Sequence, residues 1–288
     1  MAVKLHPSTR IGEVSLKVSN LQRSMSFYQE VIGFKVLTHK DNIAVFSVDG
    51  VQPLLIIEEL PNAVTPRERT TTGLYHFAIL VPNREQLGLS LRQLIKSGIH
   101  IGQSDHAVSE ALYISDPDQN GIEIYADRPR EEWRIDEEGH VKMTLDPIDW
   151  DGLLEVSKDL VWSGLPTDTV IGHVHLHVAD LQEAEAFYVD LLGFDMMLNG
   201  AKRMRALFIS AGGYHHHLGL NTWAGEGAPR PPQHATGLVY YTLLLPNEAE
   251  LTTVIDCLRT AGIAVNEDAN GWSVQDPSGN TIRLNAAG

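Results

Sequence analysis

Cysteine is nearly absent from this sequence: Cys257 is the only one among 288 residues. A single cysteine excludes a disulfide within the chain and a metal site built from several thiolates. We therefore expect a protein of a reducing compartment, with a cytoplasmic localisation. If the chain binds a metal, its 13 histidines and its carboxylates are the expected ligands, because nitrogen and oxygen donors remain.

Long apolar runs and basic residues are also scarce. No segment approaches the roughly 20 apolar residues that a membrane helix needs, and residues 1–10 lack the apolar stretch of a signal peptide. Asp and Glu outnumber Lys and Arg by 37 to 22, which gives a formal net charge of −15. An acidic surface repels nucleic acid and anionic membranes. We therefore predict that neither is a partner.

The chain contains an internal repeat. Residues 11–34 align without a gap with residues 171–194, and residues 73–87 align with residues 237–251. The Asp-Pro pair at 116–117 recurs at 276–277, with the offset of 160 residues that separates the first two segments. We predict two copies of one design: a first domain over 1–130, a charged linker over 131–168 and a second domain over 169–288.

Each half divides again into two similar units. A strand with alternating apolar residues (Val14, Leu16 and Val18 in the first unit) precedes a polar residue suited to cap a helix, such as Asn20. An amphipathic helix and further short strand-like segments follow. This pattern predicts an α+β fold of four tandem βαβββ modules.

Four segments within these modules are IGHVHLHV, GLYHFAILVP, SAGGYHHHLGLN and DHAVSEALYISDPDQNGIEIY. The modules and these segments resemble the vicinal oxygen chelate superfamily, which includes glyoxalases, bleomycin-resistance proteins and extradiol dioxygenases. They are most similar to two-domain catechol-2,3-dioxygenases, and the likeness covers nearly the whole chain. It implies an Fe(II)-dependent extradiol dioxygenase that opens a catechol-type ring with O2 to give a muconic semialdehyde.

The resemblance also implies the metal ligands. His76 and Glu123 of the second module and His173 of the third match the family's ligand positions. Two histidines and one carboxylate are typical of non-haem Fe(II) oxygenases, although Mn(II) accepts the same set. The strand period agrees, because Val174, Leu176 and Val178 would face the helix and leave His173 on the opposite side. Such a site would pair the second module with the third.

Glu13 remains an alternative to His173, since it would complete the site if the first module paired with the second. The repeat places Tyr240, Arg283 and Glu13 at positions equivalent to His76, Glu123 and His173. Arginine cannot bind a cation, so we expect one metal per chain.

Four further residues are candidates for proton transfer and substrate contact. By resemblance, His216 and then His217 are preferred within the triplet 215–217 as the histidine beside dioxygen. Tyr113 has the spacing from Glu123 of the family's active-site tyrosine, and His106 resembles a histidine that contacts a substrate oxygen. Histidine suits these roles because its pKa lies near neutral pH.

Two other functions stay open on the sequence alone. A glyoxalase-type isomerase or lyase would use two carboxylates, for example Glu13 with Glu123. A metal-free binding protein of the resistance type would not need the His-His-Glu set. The expected partners are a small aromatic diol and O2, and the sequence leaves a homo-oligomer open.

Overall fold

The structure is a computed structural model that describes residues 4–65, 70–137, 139–269 and 271–287. It contains the four predicted modules, each a strand, a helix and three more strands. The strands of the first two modules are β1 Arg10–Val18, β2 Lys35–Lys40, β3 Ile43–Ser47 and β4 Leu55–Glu59, then β5 Gly73–Leu80, β6 Gly102–Asp105, β7 Ser109–Ser115 and β8 Gly121–Asp127. Those of the last two are β9 Val170–His177, β10 Asp195–Asn199, β11 Ala206–Ser210 and β12 Leu218–Asn221, then β13 Gly237–Leu245, β14 Asn266–Asp268, β15 Gly271–Gln275 and β16 Thr281–Ala286.

The modules combine across the two halves of the sequence. One eight-stranded sheet has the order β14-β15-β16-β13-β1-β4-β3-β2 and so joins the fourth module to the first. The other has the order β10-β11-β12-β9-β5-β8-β7-β6 and joins the third module to the second. The expected pairing of the second and third modules is therefore confirmed. The limits of the two sequence domains remain a prediction.

The described part of the chain contains six α-helices: α1 Leu21–Ser26, α2 Arg84–Ser97, α3 Trp150–Val156, α4 Leu181–Glu185, α5 Ala201–Met204 and α6 Glu248–Thr260. The module helices begin at polar caps, because the side chains of Asn20, Asn83, Asp180 and Asn247 each accept a backbone N–H of the first turn. α1 and α4 continue as π-helical turns over Phe27–Ile32 and Ala186–Leu191, which the sequence did not indicate. No described helix is both long and apolar enough for a membrane crossing.

Two repeated residues, a tyrosine and an aspartate, form the same buried hydrogen bond in both halves of the chain. Tyr28 and Tyr188, both fully buried on the π-helical turns, donate hydrogen bonds to Asp116 and Asp276 at 2.8 and 3.0 Å. Each bond joins the odd-numbered module of a half to its even-numbered neighbour. The repeat thus conserves both partners of this contact: the tyrosine lies in the aligned segments 11–34 and 171–194, and the aspartate begins the Asp-Pro pairs.

The segment between the halves is more ordered than its charge suggested. It contains a 3-10 turn at Arg130–Glu132 and α3, and it buries Trp133, Val141 and Leu153. Its stretch from Met143 to Leu145 reaches the cavity described below.

Candidate metal centre and active site

The three candidate metal ligands lie on adjacent strands of the second sheet. Ala78 on β5 is opposite Glu123 on β8 and opposite His173 on β9. His76 precedes Ala78 by two residues and therefore faces the same side of the sheet. Because Ala78 contributes only a methyl group, the longer side chains around it have room to converge.

The side chains of His76, Glu123 and His173 meet in a buried cluster. The two Nε2 atoms are 3.3 Å apart, and each lies 3.0 Å from Oε2 of Glu123. His173 is 1% exposed, and the other two residues are also buried. Glu13 lies on β1, in the other sheet, and among the described residues only His76, Glu123 and His173 form such a group.

This arrangement fits a metal ion. Two ligand atoms that are each about 2.1 Å from one ion, at right angles, are themselves about 3.0 Å apart. Without an ion, the two buried Nε2 atoms would face one carboxylate oxygen and each other. Unless the Nε2 atoms carry protons, all three are acceptors and cannot hydrogen-bond one another. The donor set of two imidazoles and one carboxylate suits a divalent transition metal.

Electrostatics keep the carboxylate ready to bind. Burial alone would raise the pKa of Glu123, but the charge and hydrogen bonds of His173 and His76 outweigh it and hold that pKa well below its usual range. Glu123 is therefore ionised at neutral pH.

A cavity of about 500 Å³ opens beside this cluster. His76 and Glu123 form part of its wall, together with Tyr113, His106 and His216. His173 lies beneath the wall and does not line it. Three of the four predicted catalytic residues thus surround one space with two of the three candidate ligands.

His106 and Tyr113 form a hydrogen-bonded pair on the β6–β7 side of the cavity. His106 Nδ1 lies 2.9 Å from the carbonyl oxygen of Thr144, which can only accept, so Nδ1 carries a proton. His106 Nε2 is 2.6 Å from the Tyr113 hydroxyl. In the neutral ring this nitrogen accepts, and Tyr113 donates. Burial, followed by the charge of Glu123, raises the pKa of Tyr113 well above its usual value, so its hydroxyl keeps its proton.

His216 stands at the end of a second chain of hydrogen bonds. His215 Nε2 donates to the Asp127 carboxylate at 3.0 Å, and His215 Nδ1 lies 2.7 Å from His216 Nδ1. If His215 is neutral, its Nδ1 accepts and His216 Nδ1 carries the proton. His216 Nε2 then has its lone pair available to the cavity. The His216 ring packs on His173, with 4.2 Å between centroids.

Two matches cover most of the chain. Residues 10–124 and 170–284 match the Glyoxalase/Bleomycin resistance protein/Dioxygenase superfamily. The chain belongs to this superfamily. It is 55% identical to catechol-2,3-dioxygenase of Bacillus subtilis (strain 168) over 273 residues, which is 95% of each chain.

More distant members of the superfamily share parts or only the fold. Metallothiol transferase FosB of Lysinibacillus sphaericus is 28% identical over 40% of this chain and 80% of its own. The crystal structure of glyoxalase I from Zea mays superposes with a TM-score of 0.55 at 17% identity, covering 96% of this chain and 92% of that one. At that identity the likeness shows the fold alone.

The remaining histidines of the segments that resemble the superfamily occupy other places. His217 does not line the cavity; its Nδ1 accepts the backbone N–H of Ala211, and its ring packs on Tyr214. His177 is hydrogen-bonded to Asn221. His175 does line the cavity, and its buried Nε2 has no partner among the described residues. Gly219 opposite it makes room, because a Cβ there would meet the His175 ring at 2.7 Å.

The duplicated positions form no ligand cluster. Thr242 on β13 is opposite Arg283 on β16, as Ala78 is opposite Glu123. The Arg283 guanidinium lies over the Tyr240 ring, 4.2 Å from its centroid. In the sheet of the first and fourth modules, the positions equivalent to His76 and Glu123 thus form a cation–π contact.

Reasoning from the sequence missed several residues of the site. Tyr75, which was not among the predicted residues, lines the cavity and packs against His76 and Trp223. Asp127 lies four residues after Glu123 on β8. This even spacing places both side chains on the same face of the strand and could have identified Asp127 from the sequence. Met143 and Leu145 lie in the segment between the repeats, where no internal alignment could indicate them.

Proposed function

We propose that the chain is an Fe(II)-dependent extradiol dioxygenase, which cleaves the aromatic ring of a catechol beside its two hydroxyls with O2 and yields a muconic semialdehyde. The observation that carries this proposal is the convergence of two imidazole Nε2 atoms and one carboxylate oxygen at the wall of a cavity large enough for an aromatic ring. The relative named catechol-2,3-dioxygenase, 55% identical over 95% of the chain, supports it.

The proposed ligands are His76, Glu123 and His173. These three side chains would hold a ferrous ion, which would supply the electronic contact between a catechol and O2. We propose iron rather than manganese because this ligand set is typical of non-haem Fe(II) oxygenases.

Tyr113 and His106 are proposed to take a proton from the substrate. The Tyr113 oxygen can accept a hydrogen bond from a catechol hydroxyl while its own proton points to His106 Nε2. A proton that moves from the hydroxyl to Tyr113 can therefore move on to His106 in the same step. Neutral His106 can take it, because its Nδ1 proton is already held by the Thr144 carbonyl.

His216 is proposed as the second acid-base group. Burial, followed by the neighbouring His173 and His215, lowers its pKa well below the usual value, so it is neutral before substrate binds. Its Nε2 can then receive a proton from the substrate and return it to the product. Asp127 and His215 hold it in the required tautomer.

A glyoxalase-type isomerase is not favoured by this geometry. Glu13, the second carboxylate that such an enzyme would use, lies in the other sheet. The three-residue cluster contains a single carboxylate.

The proposal is tested by loading the protein with Fe(II) without oxygen, then adding catechol in aerated buffer. We expect oxygen uptake and a yellow ring-opened product at equal rates. The matched control is Arg283→Gln, which changes the duplicated position and should leave both rates unaltered. Absence of oxygen uptake with catechol, alkylcatechols and hydroquinone by iron-loaded protein would exclude a dioxygenase.

A further inference from the structure

The cavity beside the candidate metal centre has two different ends. The polar end holds the ligands and acid-base residues described above. The remainder of the wall includes Tyr75, Ser104, Thr144 and His175 but is mostly apolar. Its apolar part is formed by six residues: Met143, Leu145, Leu198, Met204, Phe208 and Trp223. They come from the segment between the repeats and from the third module, so the apolar part is built by neither half alone.

The cavity is larger than catechol requires. A cavity of about 150 Å³ can hold a benzene ring, whereas this one has about 500 Å³. A catechol bound at the polar end therefore leaves space beside the apolar wall. Filling that space with a substituent removes apolar surface from water on both sides of the contact.

The wall offers no permanent cation to a substituent that extends away from the candidate metal centre. Among the described residues that line the cavity there is no lysine and no arginine. A carboxylate on such a substituent would lose its hydration at the apolar side chains without gaining an ion pair there. Carboxylated catechols are therefore at a disadvantage.

The mouth of the cavity has the same character. Leu145 is 76% exposed and Trp223 is 38% exposed, although both line the cavity. Large apolar side chains held at an opening are suited to an apolar group that enters or protrudes there.

From these observations we infer that the substrate is a catechol with an uncharged, apolar substituent, alkyl or aryl, and that the cavity selects against catechols that carry a carboxylate. This inference rests on the proposed ring-cleaving function and narrows its substrate class.

The test compares a charged ligand with an uncharged derivative of it. The Fe(II)-loaded full chain is titrated calorimetrically without oxygen with 3,4-dihydroxybenzoate and with its methyl ester, which removes the charge and adds one methyl group. We expect the ester to bind at least about tenfold more tightly than the acid, which is more than the about fourfold that one buried methyl group accounts for. We also expect 4-methylcatechol to bind about fourfold more tightly than catechol, as burial of one methyl group predicts. Equal or tighter binding of the acid would overturn the inference.

A variant examines the wall itself. Leu145→Arg places a cation at the mouth and should reduce the preference for the ester at least about fivefold, whereas Leu160→Arg, at an exposed leucine outside the cavity, should not. An unchanged preference in Leu145→Arg would contradict selection by this wall. Because binding is measured without oxygen, an ester preference without oxygen uptake in air would refute the proposed reaction and leave the selectivity standing.

Discussion

At the scale of single residues, the site depends on which nitrogen of each histidine carries a proton. The Thr144 carbonyl fixes a proton on His106 Nδ1, and the Asp127 carboxylate fixes one on His215 Nε2. Each fixed proton leaves a lone pair on the other nitrogen of that ring. These two hydrogen bonds thereby determine which ring nitrogens of His106 and His216 can accept a proton.

The pair of Tyr113 and His106 gives a first prediction. Tyr113→Phe removes the hydroxyl that would relay the substrate proton but keeps the ring in its packing. We expect kcat/KM for catechol to fall by about 10²-fold or more, the range typical of lost acid-base catalysis, with bound iron unchanged. Steady-state oxygen uptake and metal analysis measure the two quantities. A variant with normal kcat/KM would show that the hydroxyl takes no part.

The Asp127 chain gives a second prediction. Asp127→Asn replaces the acceptor of the His215 proton with an amide that can also donate, so the tautomer of His215 and then of His216 is no longer fixed. We expect kcat to fall at least about tenfold while KM and the bound iron change little. Asp136→Asn, at an aspartate that hydrogen-bonds the backbone N–H of His140 outside the cavity, is the matched control. A change confined to KM would contradict the positioning role.

At the scale of elements, one turn ties the first module to the second. Asp118, between β7 and β8, accepts hydrogen bonds from the backbone N–H and the hydroxyl of Ser19, at 2.9 and 2.5 Å, and from Arg23 at 2.8 Å. Burial alone would raise the pKa of Asp118, but these hydrogen bonds and the Arg23 charge lower it below its usual value. The carboxylate is therefore more stable in the folded chain than in the unfolded one.

This difference predicts how stability depends on pH. The contribution of Asp118 is fully present above the unfolded pKa of about 4 and is lost as the pH falls below it, through the lower pKa of the folded state. We expect Asp118→Asn to lower the free energy of unfolding by about 1.5–3 kcal/mol at pH 6 and by less at pH 3. Urea denaturation measures both, with Asp159→Asn as the exposed control. If Asp118→Asn lowered the free energy of unfolding equally at pH 6 and pH 3, the stabilisation would not come from the ionised Asp118 carboxylate.

Elements were predictable where a local rule decides. The alternation of Val174, Leu176 and Val178 placed His173 on the correct face, and the polar caps marked the helix starts. The π-helical turns were not predicted. They carry Tyr28 and Tyr188, whose hydrogen-bond partners Asp116 and Asp276 are each 88 residues further along the chain. Local propensity contains no information about such contacts.

At the scale of the whole molecule, the candidate centre exists because β5 pairs with β9 from the other half of the chain. The repeat and the resemblance were enough to predict this pairing and the three residues that meet there. They were not enough to predict the apolar wall, because Met143 and Leu145 belong to a segment without a repeat partner. The sequence thus indicated the candidate ligand positions, and the tertiary structure added the apolar residues that line the cavity beside them.

The central claim is that one metal ion is held by residues of both halves, and iron content after anaerobic loading and desalting tests it most directly. We expect about one iron ion per chain in the wild-type protein and in Glu13→Gln, and a nearly complete loss of iron in His76→Ala, Glu123→Gln and His173→Ala. Iron retained by His173→Ala and lost by Glu13→Gln would contradict a centre that joins the second and third modules.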